Sequence, residues 1–247
     1  MRQFGAGPYV LGLRRREATD RTGHPFDVPA IATIEEIRLD ASVTLLAGDN
    51  GTGKSTVVEA VAEAMGFSDQ GGELQRLGEL PAVPRDVLDA THEPVLSRHK
   101  PRDGYFLRAE SFFNVAAFVD GGSEFAPDLS RYGDVPLHEQ SHGESFLALA
   151  ANRFGGHCIY VFDEPEAALS VSGALALLAI VVRASESGAQ FVIATHSPVL
   201  LAIPGARVYE LSADGVAETA YDDLEAVRLM RGFLDAPERY VRAALGA

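Results

Sequence analysis

The stretch Gly48-Asp49-Asn50-Gly51-Thr52-Gly53-Lys54-Ser55 decides the fold. It matches G-x-x-x-x-G-K-[ST], the pattern of a phosphate-binding P-loop. The apolar run 43–47 before it predicts a buried strand, and apolar residues at helical spacing over 56–65 predict a helix. Gly66 then stands where a helix C-cap belongs. A chance match is the competing interpretation, but strand, loop and helix together are the context that the motif requires.

Each residue type in this stretch has a chemical reason to be there. Gly51 and Gly53 let the backbone curl so that its N–H groups point at phosphate oxygens. The positive end of the following helix adds to the attraction. Lys54 is long enough to reach the β- and γ-phosphates, and the Ser55 hydroxyl can hold Mg²⁺. The sequence therefore predicts a nucleotide site.

Two further polar positions follow predicted buried strands. Asp163 and Glu164 come directly after the apolar run 159–162, and His196 follows the run 190–195. Parallel strands deliver such residues to one edge of a sheet. There Asp163 would bind Mg²⁺, Glu164 would polarise an attacking water, and His196 would contact the γ-phosphate or orient the water. An acidic turn and a polar strand cap are the simpler interpretations of these positions.

Composition narrows the class of protein. The chain has 247 residues and a formal net charge of −14, which argues against a broad nucleic-acid-binding face. Its single cysteine, Cys158, excludes an intrachain disulfide framework and favours a reducing cytoplasm. The N-terminus lacks the apolar segment of a signal peptide, and the run 174–182 is too short to span a bilayer. We expect a soluble, cytoplasmic protein.

The order of elements predicts an α/β fold. Strands alternate with helices from residue 43 onward, which indicates a mainly parallel central sheet flanked by helices. The apolar segment 9–13 predicts an early strand, and 31–39 predicts a second strand or a short mixed segment; these early strands could add an antiparallel edge. We expect one domain over 1–247, with a short irregular insertion at 67–104 that contains a helix near 73–80. A loop at 120–143 precedes the helix that starts at Glu144.

Four motifs in order resemble those of the ABC-type ATPases. They are the P-loop, a signature-like segment Ser141-His142-Gly143-Glu144, the Walker B segment Val161-Phe162-Asp163-Glu164 with its continuation to Leu169, and Thr195-His196-Ser197. The segments 106–113 and 141–146 resemble, more narrowly, a bacterial group of soluble, stand-alone predicted AAA/ABC ATPases. The resemblance covers about residues 8–211. It implies ATP and Mg²⁺ as ligands and ATP hydrolysis as the reaction.

The resemblance also implies roles for individual positions. Glu110 occupies the Q-loop position, which reaches the metal, although glutamine is usual there. Ser141 and Gly143 occupy signature positions that contact the γ-phosphate held by a second subunit, and this implies a head-to-tail dimer with two ATP molecules. His142 and Gln140 depart from the usual glycine and leucine. Phe26 and Tyr9 are candidates for stacking on adenine.

The resulting set of site residues falls into three groups. The catalytic candidates are Glu164, His196 and Lys54. The metal candidates are Ser55, Asp163 and Glu110. The nucleotide-binding candidates are Gly48, Asn50, Gly51, Thr52, Gly53, Lys54, Ser55, Thr56, Ser141 and Gly143.

Several alternatives stay open. Residues 138–142 fit H-E-x-x-H, a zinc-protease motif, but Pro136 and Gly143 flank it and do not fit one continuous helix. A DNA-repair ATPase of the SMC or RecF sort would need long coiled-coil arms, and about 38 residues at 67–104 are too few. A transporter subunit would need membrane partners. A nucleotide switch in a defence system would need a nuclease on another chain. We favour a non-transporter ATPase that drives a conformational cycle in an unknown protein partner.

Overall fold

The computed structural model describes residues 6–16, 27–68, 71–74, 92–108 and 142–246. Within these ranges the strands are β1 Val10–Arg15, β2 Glu36–Arg38, β3 Val43–Ala47, β4 Gly72–Glu73, β5 His92–Leu96, β6 Asp103–Arg108, β7 Cys158–Asp163, β8 Gln190–Ala194, β9 Arg207–Ser212 and β10 Gly215–Glu218. The helices are α1 Pro29–Thr33, α2 Lys54–Met65, α3 His142–Arg153, α4 Val171–Glu186, α5 Glu225–Asp235 and α6 Pro237–Ala244. Short 3₁₀ turns lie at Pro165–Ala168, Leu200–Ala202 and Tyr221–Asp223.

Among the described residues, seven strands form the central sheet, in the order β10-β9-β3-β8-β7-β6-β4. Its five inner strands run parallel to one another, whereas β10 and β4 pair antiparallel with β9 and β6 at the two edges. Every residue of β3 and β8 is buried, as expected for strands covered on both faces. The predicted α/β class with a mainly parallel sheet is confirmed.

Alternating side chains of β7 supply both faces of this sheet. Tyr160 and Phe162 point into a core formed with α3 and α4, while Ile159 and Val161 point into a second core formed with α2. This alternation is the period-two geometry of a strand. Helices therefore cover both faces of the sheet. The carboxyl ends of the central strands are not covered by these cores and can carry polar side chains.

The antiparallel strands predicted near the N-terminus are present, and they form a separate three-stranded sheet in the order β2-β1-β5. The side chain of Gln190, at the start of β8, joins the two sheets. Its Oε1 accepts from the Tyr9 and Val10 N–H groups at 2.7 and 3.0 Å, and its Nε2 donates to the Val10 and Leu39 carbonyls at 2.7 Å each. Gln190 is fully buried, and these four bonds satisfy its amide completely.

Part of the stretch predicted to be irregular is regular. Residues 92–96 form β5, which pairs with β1, and Glu73 lies in strand β4, where a helix was expected to begin. The sequence did not predict β5 because it contains Pro94 and polar residues, and proline is rare in strands and restricted to edges and bulges. Of the predicted helix at 73–80, residues 75–80 lie outside the described ranges.

The region after β8 contains the strands β9 and β10, which pair with each other, and the helices α5 and α6. Only the first turn of α5 packs on the core, through Val227 and the preceding Leu224. Within the described parts of the chain, we find no helix that is long and apolar enough to cross a bilayer.

Candidate active site

The P-loop connects β3 to α2 and is shaped by its glycines. Gly48, Gly51 and Gly53 have φ angles of +138°, +77° and +97°, values that side-chain-bearing residues rarely adopt. A Cβ on Gly48 would lie 2.2 Å from the Leu211 carbonyl oxygen, and one on Gly53 would lie 2.9 Å from Ile31. The backbone curl needed for phosphate binding is thus built into the packing of the loop.

Lys54 begins α2 and is almost completely buried, with 4% of its surface exposed. Its Nζ donates to the Gly48 and Asp49 carbonyls at 2.8 and 2.9 Å, so the ammonium stabilises the curled conformation of the P-loop. Burial lowers the pKa of Lys54, and the nearby carboxylates of Glu164 and Asp163 oppose that shift. The ammonium therefore lies in a partly desolvated setting, in which its attraction for an anion is strengthened.

Ser55 and Asp163 meet although 108 positions separate them, since the Ser55 hydroxyl donates to Asp163 Oδ1 at 3.1 Å. Burial raises the pKa of Asp163, and the hydrogen bond from Ser55 works against that rise. A hydroxyl beside a half-buried carboxylate is the kind of oxygen pair that Mg²⁺ prefers, and a cation would stabilise the ionised form. These residues fit a magnesium ion. Among the described residues, no group of three or more His, Cys, Asp or Glu is arranged for a metal.

Glu164 and His196 face each other from adjacent strand ends. Glu164 follows β7 in the left-handed region, at φ 52° and ψ 53°, and its N–H donates to the Ala194 carbonyl at 2.9 Å. Its Oε1 lies 2.7 Å from His196 Nε2. A left-handed glutamate is uncommon, and such strain is found where surrounding structure fixes a functional residue.

Glu166, two residues further on, was not predicted as a site residue. Its Oε1 accepts three hydrogen bonds from the loop that follows β8: from Thr195 Oγ1 at 2.6 Å, the His196 N–H at 2.6 Å and the Ser197 N–H at 3.0 Å. A third carboxylate two residues after Glu164 was the sequence signal that could have indicated its role.

A cavity of about 470 Å³ opens where these elements meet. Its lining includes the P-loop, both Walker B acids and two residues that the sequence did not suggest, Val28 and Arg108. Arg108 ends β6 directly opposite Asp163 in the sheet register, and its guanidinium is ion-paired with Glu59 of α2. Its position at a strand's carboxyl end, close to the predicted Glu110, was the available signal. The predicted residues that line the cavity are Asn50, Gly51, Gly53, Lys54, Ser55, Thr56, Asp163 and Glu164.

Other predicted residues lie elsewhere. Thr52 Oγ1 donates to the Asp49 carbonyl at 2.8 Å within the loop. Gly143, near the start of α3, lines a different cavity together with Ala168, Leu169 and Ser170. Glu110, Ser141 and Phe26 lie outside the described residues, as do residues 138–141 of the H-E-x-x-H match.

Tyr9 was a candidate for adenine stacking, and that prediction is wrong. Tyr9 is 1% exposed, and its N–H bonds to Gln190 at the amino end of β8. The P-loop follows the carboxyl end of β3, which runs parallel to β8. Tyr9 is therefore a core residue at the opposite edge of the sheet. The early position of this aromatic residue in the sequence did not show at which end of the strands it would lie.

Comparison with known proteins shows which sequences and structures this chain is similar to. A family model described as "AAA domain, putative AbiEii toxin, Type IV TA system" matches residues 94–202. The cytochrome c biogenesis ATP-binding export protein CcmA of Salmonella typhi is 29% identical over 167 residues, covering 64% of this chain and 76% of CcmA. The ribose import ATP-binding protein RbsA of Yersinia pestis bv. Antiqua is 28% identical over 238 residues, covering 88% of this chain and 43% of RbsA.

The fold has a counterpart among solved structures. CbiO1 from Clostridium perfringens, described as part of the ABC transporter complex cbiONQ, superposes with a TM-score of 0.52 at 16% identity, covering 94% of this chain and 97% of that one. That likeness concerns the fold alone. The P-loop, the acidic end of β7 and the histidine after β8 converge on the carboxyl ends of neighbouring strands, and this chain is similar to proteins named as ATP-binding proteins. These findings together support a P-loop ATPase of the ABC type.

Proposed function

We propose that this protein hydrolyses ATP in a Mg²⁺-dependent reaction. The observation that carries the proposal is the convergence of Lys54, Ser55, Asp163 and Glu164 on the lining of one cavity. In P-loop enzymes the catalysis of phosphoryl transfer is mainly positioning and electrostatic stabilisation, which this set of residues is equipped to supply. Relatives named as ATP-binding proteins support the same substrate.

Each side chain has a part in the proposed reaction. The loop amides and Lys54 hold the β- and γ-phosphates, and Thr56 lies near the α-phosphate. Ser55 and Asp163 would hold Mg²⁺, which supplies positive charge to the phosphate oxygens when bound. Glu164 accepts a proton from the attacking water, and His196 orients that water or the γ-phosphate. Glu110 is proposed as a further metal-side residue on sequence grounds.

The proposal includes a head-to-tail dimer. Gly143 lines a cavity of about 550 Å³ that shares no lining residue with the P-loop cavity. A signature segment that lies apart from its own P-loop would act on the nucleotide of a second subunit. In that arrangement Ser141 and Gly143 would contact the partner's γ-phosphate, and hydrolysis would open the dimer. We also propose one ATPase domain over 1–247, a cytoplasmic location and a non-transporter role, the last because the signature is degenerate.

The decisive variant is Glu164→Gln, tested by steady-state phosphate release and by light scattering with and without ATP. We expect kcat to fall at least ~100-fold, because the general base is lost while the amide keeps the shape of the side chain. ATP binding should persist, and the ATP-bound variant should scatter as a dimer. Glu186→Gln, an exposed change at the end of α4, is the matched control and should behave like the parent.

Two results would contradict the proposal. Phosphate release at the parental rate by Glu164→Gln would remove Glu164 from the reaction. A parent protein that binds no Mg²⁺-nucleotide in calorimetry would remove the proposed substrate. A variant that binds ATP but stays monomeric would overturn the dimer alone.

A transporter subunit is a second candidate, and the names of the relatives favour it. CcmA is named as an export protein and RbsA as an import protein. Such a subunit would associate with a membrane protein. Affinity purification of the tagged chain from detergent extracts would decide, since a stoichiometric integral membrane partner would replace the non-transporter proposal.

A further inference from the structure

We infer that Glu166 is a positioning residue that holds His196 against Glu164, an inference that rests on the proposed ATPase reaction. Glu166 is absent from the lining of the P-loop cavity, as is His196, and both line a neighbouring cavity that also includes Glu164. Glu166 contacts the loop after β8 that carries His196. Its effect on the reaction would therefore pass through His196 rather than through the nucleotide.

One oxygen of Glu166 organises three consecutive residues. Oε1 accepts from Thr195 Oγ1, from the His196 N–H and from the Ser197 N–H, at 2.6, 2.6 and 3.0 Å. Hydrogen bonds to an ionised acceptor are shorter and about twice as strong as neutral ones. Two of the three donors are backbone groups, so the carboxylate fixes the path of the main chain at the histidine itself.

The two loops are tied together in both directions. The Glu164 N–H donates to the Ala194 carbonyl at 2.9 Å, and the His196 N–H donates back to Glu166. The side chains of these two loops are also in contact, since Glu164 Oε1 lies 2.7 Å from His196 Nε2. Because both backbones are held, the imidazole is restrained to a narrow range of positions beside the proposed general base.

Thr195 completes this arrangement. It is fully buried, its hydroxyl donates to Glu166, and the same oxygen accepts from the Ser197 N–H at 3.0 Å. Removal of the carboxylate would leave the His196 N–H without this acceptor in a partly buried loop. Such loss permits the loop to adopt other conformations, and small misplacements of a catalytic group lower the rate steeply.

Three substitutions at position 166 distinguish the effect of the negative charge from the effect of side-chain length. Glu166→Gln keeps the length of the side chain and one carbonyl oxygen acceptor, but loses the negative charge. Glu166→Asp keeps the charge and is one methylene shorter, so its oxygen falls short of the loop. Glu166→Ala removes both properties. Glu186→Ala, at an exposed glutamate, is the control for loss of a carboxylate.

Steady-state ATP hydrolysis is the first measurement. We expect Glu166→Ala and Glu166→Asp to lower kcat ~10- to 100-fold while KM for ATP changes less than ~3-fold. Glu166→Gln should stay within ~5-fold of the parent, since reach matters more than charge. An equal loss in all three variants, or a loss that appears in KM with kcat unchanged, would overturn the positioning role.

A double-mutant cycle tests whether Glu166 acts through His196. In a His196→Ala background, Glu166→Ala should cost less than ~3-fold in kcat, because the residue that it positions is already gone. If the two losses multiply instead, Glu166 acts on another group and the inference fails.

A measurement without nucleotide keeps the inference independent of ATPase activity. The imidazole resonances of His196 can be assigned by their absence in His196→Gln and followed by ¹H–¹⁵N NMR. They should shift in Glu166→Ala and remain near their parental positions in Glu166→Gln. Unchanged resonances in a folded Glu166→Ala protein would overturn the inference. A parent that hydrolyses no ATP would contradict the proposed function, while the NMR result would still decide whether Glu166 positions His196.

Discussion

The candidate site has a phosphate half and an acidic half, and different parts of the chain shape them: main-chain conformation in the first and side-chain hydrogen bonds in the second. The phosphate half, residues 48–55, is shaped by backbone conformation, with three glycines at positive φ and a lysine that bonds loop carbonyls. The acidic half joins residues 164–166 to 195–197 almost entirely through side chains. The first half is local in sequence, and the second exists only once β7 and β8 pair.

This difference teaches where each half is vulnerable. A backbone-built loop fails when an added side chain forces the main chain to move. A side-chain-built network fails when one acceptor is lost, even if the fold is unchanged. Substitutions in each half test that contrast.

Lys54→Met should raise the Kd for Mg²⁺-ATP at least ~100-fold, because it removes a buried cation from the phosphate half while leaving an apolar stem of similar length. Isothermal titration calorimetry measures this change. The chain has only one other lysine, the exposed Lys100, so Lys100→Met is a control of identical chemistry. An unaltered Kd in Lys54→Met would show that the loop amides bind the nucleotide without the lysine.

Gly48→Ala should weaken ATP binding ~10-fold and lower the free energy of unfolding by about 2 kcal/mol. The new Cβ would lie 2.2 Å from the Leu211 carbonyl oxygen, at a φ of +138°, so the main chain must shift. Urea denaturation and nucleotide titration measure the two effects. Gly155→Ala, with nothing within 4 Å of the new Cβ and no positive φ, is the control. Equal behaviour of both variants would contradict a backbone-built loop.

Asp163→Asn should raise the Tm of the nucleotide-free protein at pH 7 by about 2–4 °C, or about 1 kcal/mol for a chain of this size. Burial raises the pKa of Asp163 in the folded state, so the folded chain binds this proton more tightly than the unfolded chain does. The ionised carboxylate consequently lowers stability at neutral pH. The gain from asparagine should be full at pH 7 and fade as the pH falls towards the ordinary value of 3.8.

Scanning calorimetry between pH 4 and pH 8 follows this gain, with the exposed Asp235→Asn as control. A lower Tm at pH 7 would mean that attraction from Arg108 and Lys54 outweighs the burial of Asp163.

The sequence predicted the parts of the site that local chemistry encodes. The P-loop signals itself by glycine spacing, and β3 has the predicted bounds, Val43–Ala47. The strands that end in Asp163 and before His196 were recognisable because they are unbroken apolar runs, and the register indeed aligns Asp163 with Ala194. Their catalytic and binding roles stay predictions.

The remaining parts depend on pairings that no local pattern specifies. Strand β5 was missed because it is stabilised by β1, which lies about 80 residues earlier in the chain. Glu166 was missed because its partners belong to another strand's loop. Arg108 was missed because it reaches the candidate site only through the pairing of β6 with β7, which places it opposite Asp163. In each case tertiary context, rather than the residue's own propensity, decides the outcome.

The amide of Gln190 has a consequence for how the two sheets are held together. Where β1 and β2 approach the amino end of β8, the Gln190 side chain forms hydrogen bonds with main-chain groups of Tyr9, Val10 and Leu39. The smaller sheet is thereby fastened to the strand whose far end leads into the histidine loop. Replacement of Gln190 by an apolar residue would therefore remove hydrogen bonds from four main-chain groups in or next to β1 and β2, at the end of β8 opposite to His196.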